Sequence, residues 1–228
     1  MNRIIAIAIF LVIASTPIFA QNEIFVTDYA KKLSDWKVKE FKGRADFLVK
    51  QSPQPMVTLA TKGSNFLLAK EFRNFKMAEH PFLNFEWMVE KLPQGGDLRS
   101  RSTDDQAAGL YVTLPSFPEF INFKSIGYVW DTSAPPGNYD SKGVGNIKYV
   151  VLRSGSGIGS GSVNVSMSGS GDDLGKWHSE KRNYVEDFKK LWGVNPGKRK
   201  VVISMAADSD NTKSSSTASF GKVYFSSN

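Results

Sequence analysis

The chain has 228 residues, 41% of them hydrophobic, no cysteine, 2 histidines and a formal net charge of +7. Without cysteine there is no disulfide framework, thiolate metal site, cysteine nucleophile or lipid-anchored cysteine, and neither His80 nor His178 sits near the glycine-flanked serine of a Ser-His-Asp triad. A basic balance favours anionic partners, yet the lysines and arginines are spread along the chain, with Lys198-Arg199-Lys200 the one tight cluster, so no nucleic-acid role is expected.

Residues 1–20 carry one charge, Arg3, an apolar run over 4–14 and a short tail ending in Ala20. This is the pattern of a secretory signal peptide cleaved near Gln21. It predicts a bacterial periplasmic or secreted protein with no transmembrane segment after cleavage, since a retained anchor needs about 20 apolar residues. Residues 21–228 suit one well-buried domain.

Short apolar runs bounded by turn residues predict strands over 36–41, 45–50, 56–60 and 65–72. Over 83–90 the residues Leu83, Phe85, Trp87 and Val89 alternate with Asn84, Glu86, Met88 and Glu90, which predicts a strand with Trp87 pointing inward. A polar link, 93–106, leads to a strand over 107–114. Two further strands, 125–131 and 147–153, flank a loop stiffened by Pro135-Pro136-Gly137. The Ser/Gly-rich tract within 154–175 reads as a flexible loop. A helix is predicted over 179–192, with Ser179 as N-cap, Tyr184, Val185, Phe188, Leu191 and Trp192 on one face, and Gly193 closing it. Strands over 200–206 and 217–225 complete the chain.

Roughly nine or ten strands against one helix point to a mainly β, antiparallel sandwich of jelly-roll, galactose-binding-like type. In such a fold alternate loops share an end. If 83–91 ascends and 147–153 descends, one rim gathers Asp97, Arg99, Arg101, Asp104, Asp105, Trp130, Asp131, Tyr139, Asp140, Asp208, Asp210 and Asn211.

Three chemistries suit that rim. Carboxylates from separate loops suit calcium, with Asp208 and Asp210 the candidate ligands, although Lys213 and Ser219 break an EF-hand pattern. Paired acids suit glycoside cleavage; Asp104 and Asp105 would point to opposite faces of a strand, so one of them would act with Asp208, Asp210 or Asp131. Carbohydrate binding without chemistry would use Trp130 and Tyr139 as stacking platforms, with Arg99, Arg101, Asp104, Asp105, Asp131, Asp208, Asp210 and Asn211 fixing hydroxyls. The alternative for Trp130 is that it continues the inward face of its strand with Tyr128.

The succession Trp87 to Pro93, then Asp104-Asp105-Gln106-Ala107-Ala108-Gly109-Leu110-Tyr111, Tyr128-Val129-Trp130, Trp177 to Gly193 and Asp208-Ser209-Asp210-Asn211-Thr212 resembles the bacterial domain of unknown function 3047 family of exported proteins. The resemblance covers most of the chain after Asp28 and implies one secreted β-rich domain; the family label names no activity. A weaker likeness is to galactose-binding jelly rolls, which often carry an acid near the last strand, where this chain has Lys222. The sequence therefore predicts an exported binding protein for carbohydrate or an anionic envelope polymer. The alternatives are a polysaccharide-acting hydrolase or lyase and an envelope protein without ligand.

Overall fold

A computed structural model describes residues 23–119, 121–155 and 173–228. The leader at 1–20 and the body of the Ser/Gly tract, 156–172, lie outside the described residues. The strands are β1 (Ile24–Phe25), β2 (Lys37–Lys42), β3 (Asp46–Lys50), β4 (Met56–Lys62), β5 (Asn65–Lys76), β6 (Phe82–Lys91), β7 (Gln106–Pro115), β8 (Phe123–Asp131), β9 (Gly137–Asp140), β10 (Ile147–Ser154), β11 (His178–Asn183), β12 (Lys198–Asp208) and β13 (Ser215–Ser226), with helix α1 (Tyr184–Trp192) between β11 and β12. They form a mainly β sandwich. One sheet has the order β11-β6-β13-β4-β3, with β1 added on β13, and the other the order β2-β5-β12-β7-β8-β10-β9.

The alternation in β6 has the expected result, with Trp87 fully buried beside Leu83, Phe85 and Val89. Opposite them the other sheet contributes Leu110 and Val112 from β7, Tyr128 and Trp130 from β8, and Ile203 and Met205 from β12. The Trp87 and Trp130 rings meet across the core at 5.8 Å and 60°. Neither indole N–H finds an acceptor among the described residues. Burying an indole of about 200 Å² at about 25 cal/mol per Å² contributes about 5 kcal/mol, against about 1–3 kcal/mol for an unmade hydrogen bond, so packing wins.

Two expectations are corrected. The helix starts at Tyr184, because residues 178–183 are already engaged as β11 along β6, in register from His178 opposite Trp87 to Asn183 opposite Phe82. The N-cap is Asn183, whose Oδ1 accepts the Glu186 N–H at 3.1 Å, and not Ser179; Gly193 ends the helix in the left-handed conformation as expected. Second, β10 ascends parallel to β8 instead of descending. The Pro-Pro-Gly link is more than a loop: it contains β9, which pairs antiparallel with β10 and supplies an extra reversal. The unforeseen β9 and β11 cancel in parity. β12 therefore still ascends, antiparallel to β7, and delivers Asp208 to the end where Asp104 and Asp131 lie.

Helix α1 closes the other end. Tyr184 donates to the His80 carbonyl at 2.8 Å, Trp192 Nε1 donates to the Ser125 carbonyl at 3.2 Å, and the buried Tyr128 hydroxyl donates to Asp187 at 2.8 Å. No helix among the described residues is long and apolar enough to cross a membrane.

Candidate functional site

Along β7 the alternation that sends Leu110, Val112 and Leu114 inward sends Tyr111 and Thr113 to the outer face of the seven-stranded sheet. There the sequence leaves two side-chain places empty. Gly109 lies two residues before Tyr111 on the same face, and Gly127 of β8 pairs directly with Tyr111. A Cβ on Gly109 would stand 2.6 Å from Tyr111 Cε2, and one on Gly127 2.7 Å from Cε1. The ring thus lies down along the sheet in space the two glycines vacate. Tyr149 of β10 braces it edge-on at 6.4 Å and 72°.

Around this ring is a groove of about 530 Å³ across the outer face. Its walls combine Phe41, Phe123 and Tyr149 with the polar groups of Asn65, Gln106, Ser204, Asn211, Asp104 and Asp208. The polar groups are chained: Gln106 Nε2 donates to Asp104 Oδ1 at 2.6 Å, and Tyr111 Oη lies 3.4 Å from Gln106 Oε1. Further along, the Thr113 and Ser125 hydroxyls share a hydrogen bond at 2.8 Å. A second depression, of about 690 Å³, is lined by Phe25, Tyr29, Lys31, Lys70 and Lys222. Its lysines are matched by acids, Lys31 with Asp28 at 3.2 Å, Lys70 with Asp35 at 2.7 Å and Lys222 with Glu23 at 4.0 Å, and none of the predicted rim residues faces it.

The rim residues fall into three groups. Asp104, Asp208 and Asn211 face the groove. Asp105 and Asp210 stand behind them. Asp105 is fully buried and accepts the backbone N–H groups of Asn211 at 3.0 Å and Thr212 at 2.7 Å, so it fastens the β12–β13 turn and is not presented to a ligand. Asp210 is paired with Lys42 at 3.3 Å. The third group lies away from the groove, and five residues in it correct the expectation. Trp130 is 1% exposed, with its ring in the core, and no sugar reaches it. Asp131 is 0% exposed and holds the N–H groups of Leu98, Ser133 and Ala134 at 3.1, 2.8 and 2.6 Å. Tyr139 packs on the small outer cluster of Leu98, Val129 and Ala134, and its hydroxyl donates to the Pro135 carbonyl at 2.9 Å. Arg99 is bound back onto Asp97 at 2.7 Å. Arg101 is exposed in a short 3-10 turn and does not line the groove.

Burial pushes the Asp104 carboxyl up to about 6, Gln106 opposing the shift. Burial, aided by the hydrogen bond to Asp210, pushes Asp208 up to about 10. Asp210 lies below its usual range, because the Asp208 hydrogen bond, Lys42 and Asn65 together outweigh its own burial. Asp208 and Asp210 thus share one proton, with Asn65 Nδ2 donating to Asp208 Oδ2 at 2.7 Å. The consequence for stability has a definite sign. The folded state keeps a proton that an unfolded Asp with a pKa of 3.8 has lost, so this group's contribution is fully present below about pH 4 and fades as pH rises toward 10. In chelator, Asp208→Asn is expected to melt with wild type at pH 4 but to be more stable by about 2 kcal/mol, or about 5 °C, at pH 8. Parallel melting curves at both pH values would remove the shared proton.

Sequence reasoning missed Tyr111 as a groove residue, and with it Tyr149, Gln106, Asn65 and Ser204. The available signal was Gly109-Leu110-Tyr111 in a strand whose other face is apolar, with Gly127 in the next strand.

Sequence comparison finds no match among curated proteins. Among solved structures, the enzymatically active domain of bacteriophage CBA120 tailspike protein 4 aligns over 87% of this chain at 10% identity and a TM-score of 0.42, and this chain spans 20% of that one. A carbohydrate-binding module of the β-sandwich superfamily aligns over 83% of this chain and 56% of its own at 9% identity and 0.41. The xyloglucanase domain of NopAA from Sinorhizobium fredii aligns over 84% and 92% at 7% identity and 0.41. The family model for "Protein of unknown function (DUF3047)" matches residues 34–224, and the chain belongs to that family.

Proposed function

We propose that this is an exported protein that binds carbohydrate along the outer face of its seven-stranded sheet. The observation that carries the reading is the Tyr111 ring laid flat over Gly109 and Gly127 within a groove of amides, hydroxyls and carboxyls. A pyranose offers a flat face of C–H groups edged by hydroxyls, which matches an aromatic floor with polar walls. Export rests on the leader at 1–20. The test is titration calorimetry of the secreted protein against soluble polysaccharides, with a reducing-end assay on the same mixtures. Binding without new reducing ends is expected. Sugar release would instead make Asp104 and Asp208 reagents, and absence of binding to every polysaccharide would end the proposal.

Calcium is a second proposal, on one observation: Asp105, Asp208 and Asp210 offer carboxylate oxygens within 4.8 Å of one another. Oxygen-rich ligands from two turns are the donors a hard cation takes, and an ion there would replace the proton on Asp208 and the charge of Lys42. Bound calcium is then expected to raise Tm, by about 2.7 kcal/mol of stability at a hundredfold excess over Kd. A Tm indifferent to calcium and to chelator would show that Lys42 and the shared proton alone neutralise the turn.

A further inference from the structure

We propose that Asp104 makes the groove selective for glycans bearing hydroxyl or amino groups and closes it to acidic ones; this rests on the reading of the groove as a carbohydrate site. The overall charge of +7 points the other way, toward an anionic polymer. Several of the cations, however, are engaged in ion pairs away from the groove or at its margin. Lys42 is on Asp210, Lys70 on Asp35, and Lys200 on both Glu71 and Glu119. Lys39 is the cation that lines the groove among the described residues, and its ammonium rests over the Phe41 ring at 4.8 Å.

Asp104 is placed differently. It is half-buried on the groove wall, Oδ1 takes the Gln106 amide at 2.6 Å, and among the described residues no cation pairs with the carboxylate. A carboxylate on a sugar entering here would meet like charge where water is partly excluded and screening is weak. A hydroxyl would donate to the free oxygen of Asp104, and an ammonium would supply the missing counter-charge. The device is an unfavourable charge held against the wrong ligand.

The experiment is a glycan array of neutral, free-amine and uronic oligosaccharides at pH 7.5, probed with wild type, Tyr111→Ala and Asp104→Asn. Groove binding is the signal lost in Tyr111→Ala. In wild type that signal is expected on neutral and amino glycans, strongest on free amines, and at least about tenfold weaker on uronates. Asp104→Asn is expected to reduce the amine preference to about threefold or less and to admit uronates. Tyr111-dependent binding of uronates by wild type, or an order of preference unchanged in Asp104→Asn, overturns the selectivity while leaving the groove in place. Loss of no signal in Tyr111→Ala overturns the groove itself.

Discussion

Tyr111→Ala is expected to weaken polysaccharide binding about a hundredfold, since truncating a central aromatic anchor removes about 2–4 kcal/mol. The fold should barely register the change. The ring lies on the outside of the sheet, and the strand beneath it is held by Leu110 and Val112 in the core, both fully buried. Gly127→Ala offers an independent route to the same end. Its new Cβ would lie 2.7 Å from Tyr111 Cε1, closer than a Cβ approaches another carbon, and a tight 3.1 Å from Tyr149 Cδ1, so the Tyr111 ring must lift. About a tenfold loss of affinity is expected with Tyr111 still present. If both variants bind polysaccharide as wild type does, the ring is an ordinary surface tyrosine and the ligand site lies elsewhere.

The layers of the sandwich were legible because period-2 patterning is a local property. Trp87, Leu110 and Tyr128 each declare their face by their neighbours, and each lies inward. What is not local was read less well. His178–Asn183 has no apolar alternation, since it is an edge strand whose side chains are mostly polar; only its partner β6 makes it a strand. A Ser followed by Glu therefore imitates a helix start. β9 likewise exists because β10 offers it an open edge, with Tyr149 opposite Tyr139.

The site divides along the same line. Strand parity gathered Asp104, Asp208 and Asn211 at one end correctly, because the loops are tied to strand ends. Parity says nothing about whether a carboxylate faces out or in. Asp105 and Asp131 turn inward because backbone N–H groups of neighbouring turns need acceptors once those turns are buried, a demand invisible in composition. Trp130 followed its strand's inward face, the alternative that weighed against a platform. The residue that does lie flat on the outer face, Tyr111, falls within the strand read over 107–114 and was weighed for no role at the site.

Asp131→Ala is expected to destabilise the fold by about 3 kcal/mol. Its carboxyl is fully buried at the end of β8 and accepts three N–H groups from two separate segments, Leu98 on one side and Ser133 and Ala134 on the other. Removing it leaves all three donors facing a void and unpins the two segments that cover Val129 and Tyr149. Burial holds this carboxyl above its usual range, the three N–H groups pulling it back, and its burial keeps it from meeting a ligand. Asp131→Asn restores an acceptor for the Ser133 and Ala134 pair but turns an N–H toward Leu98, and about half the loss is expected. Urea titration gives both numbers. A residue that touched ligand would show the opposite signature, weaker binding at unchanged stability; for Asp131 the folded fraction should bind polysaccharide within about threefold of wild type.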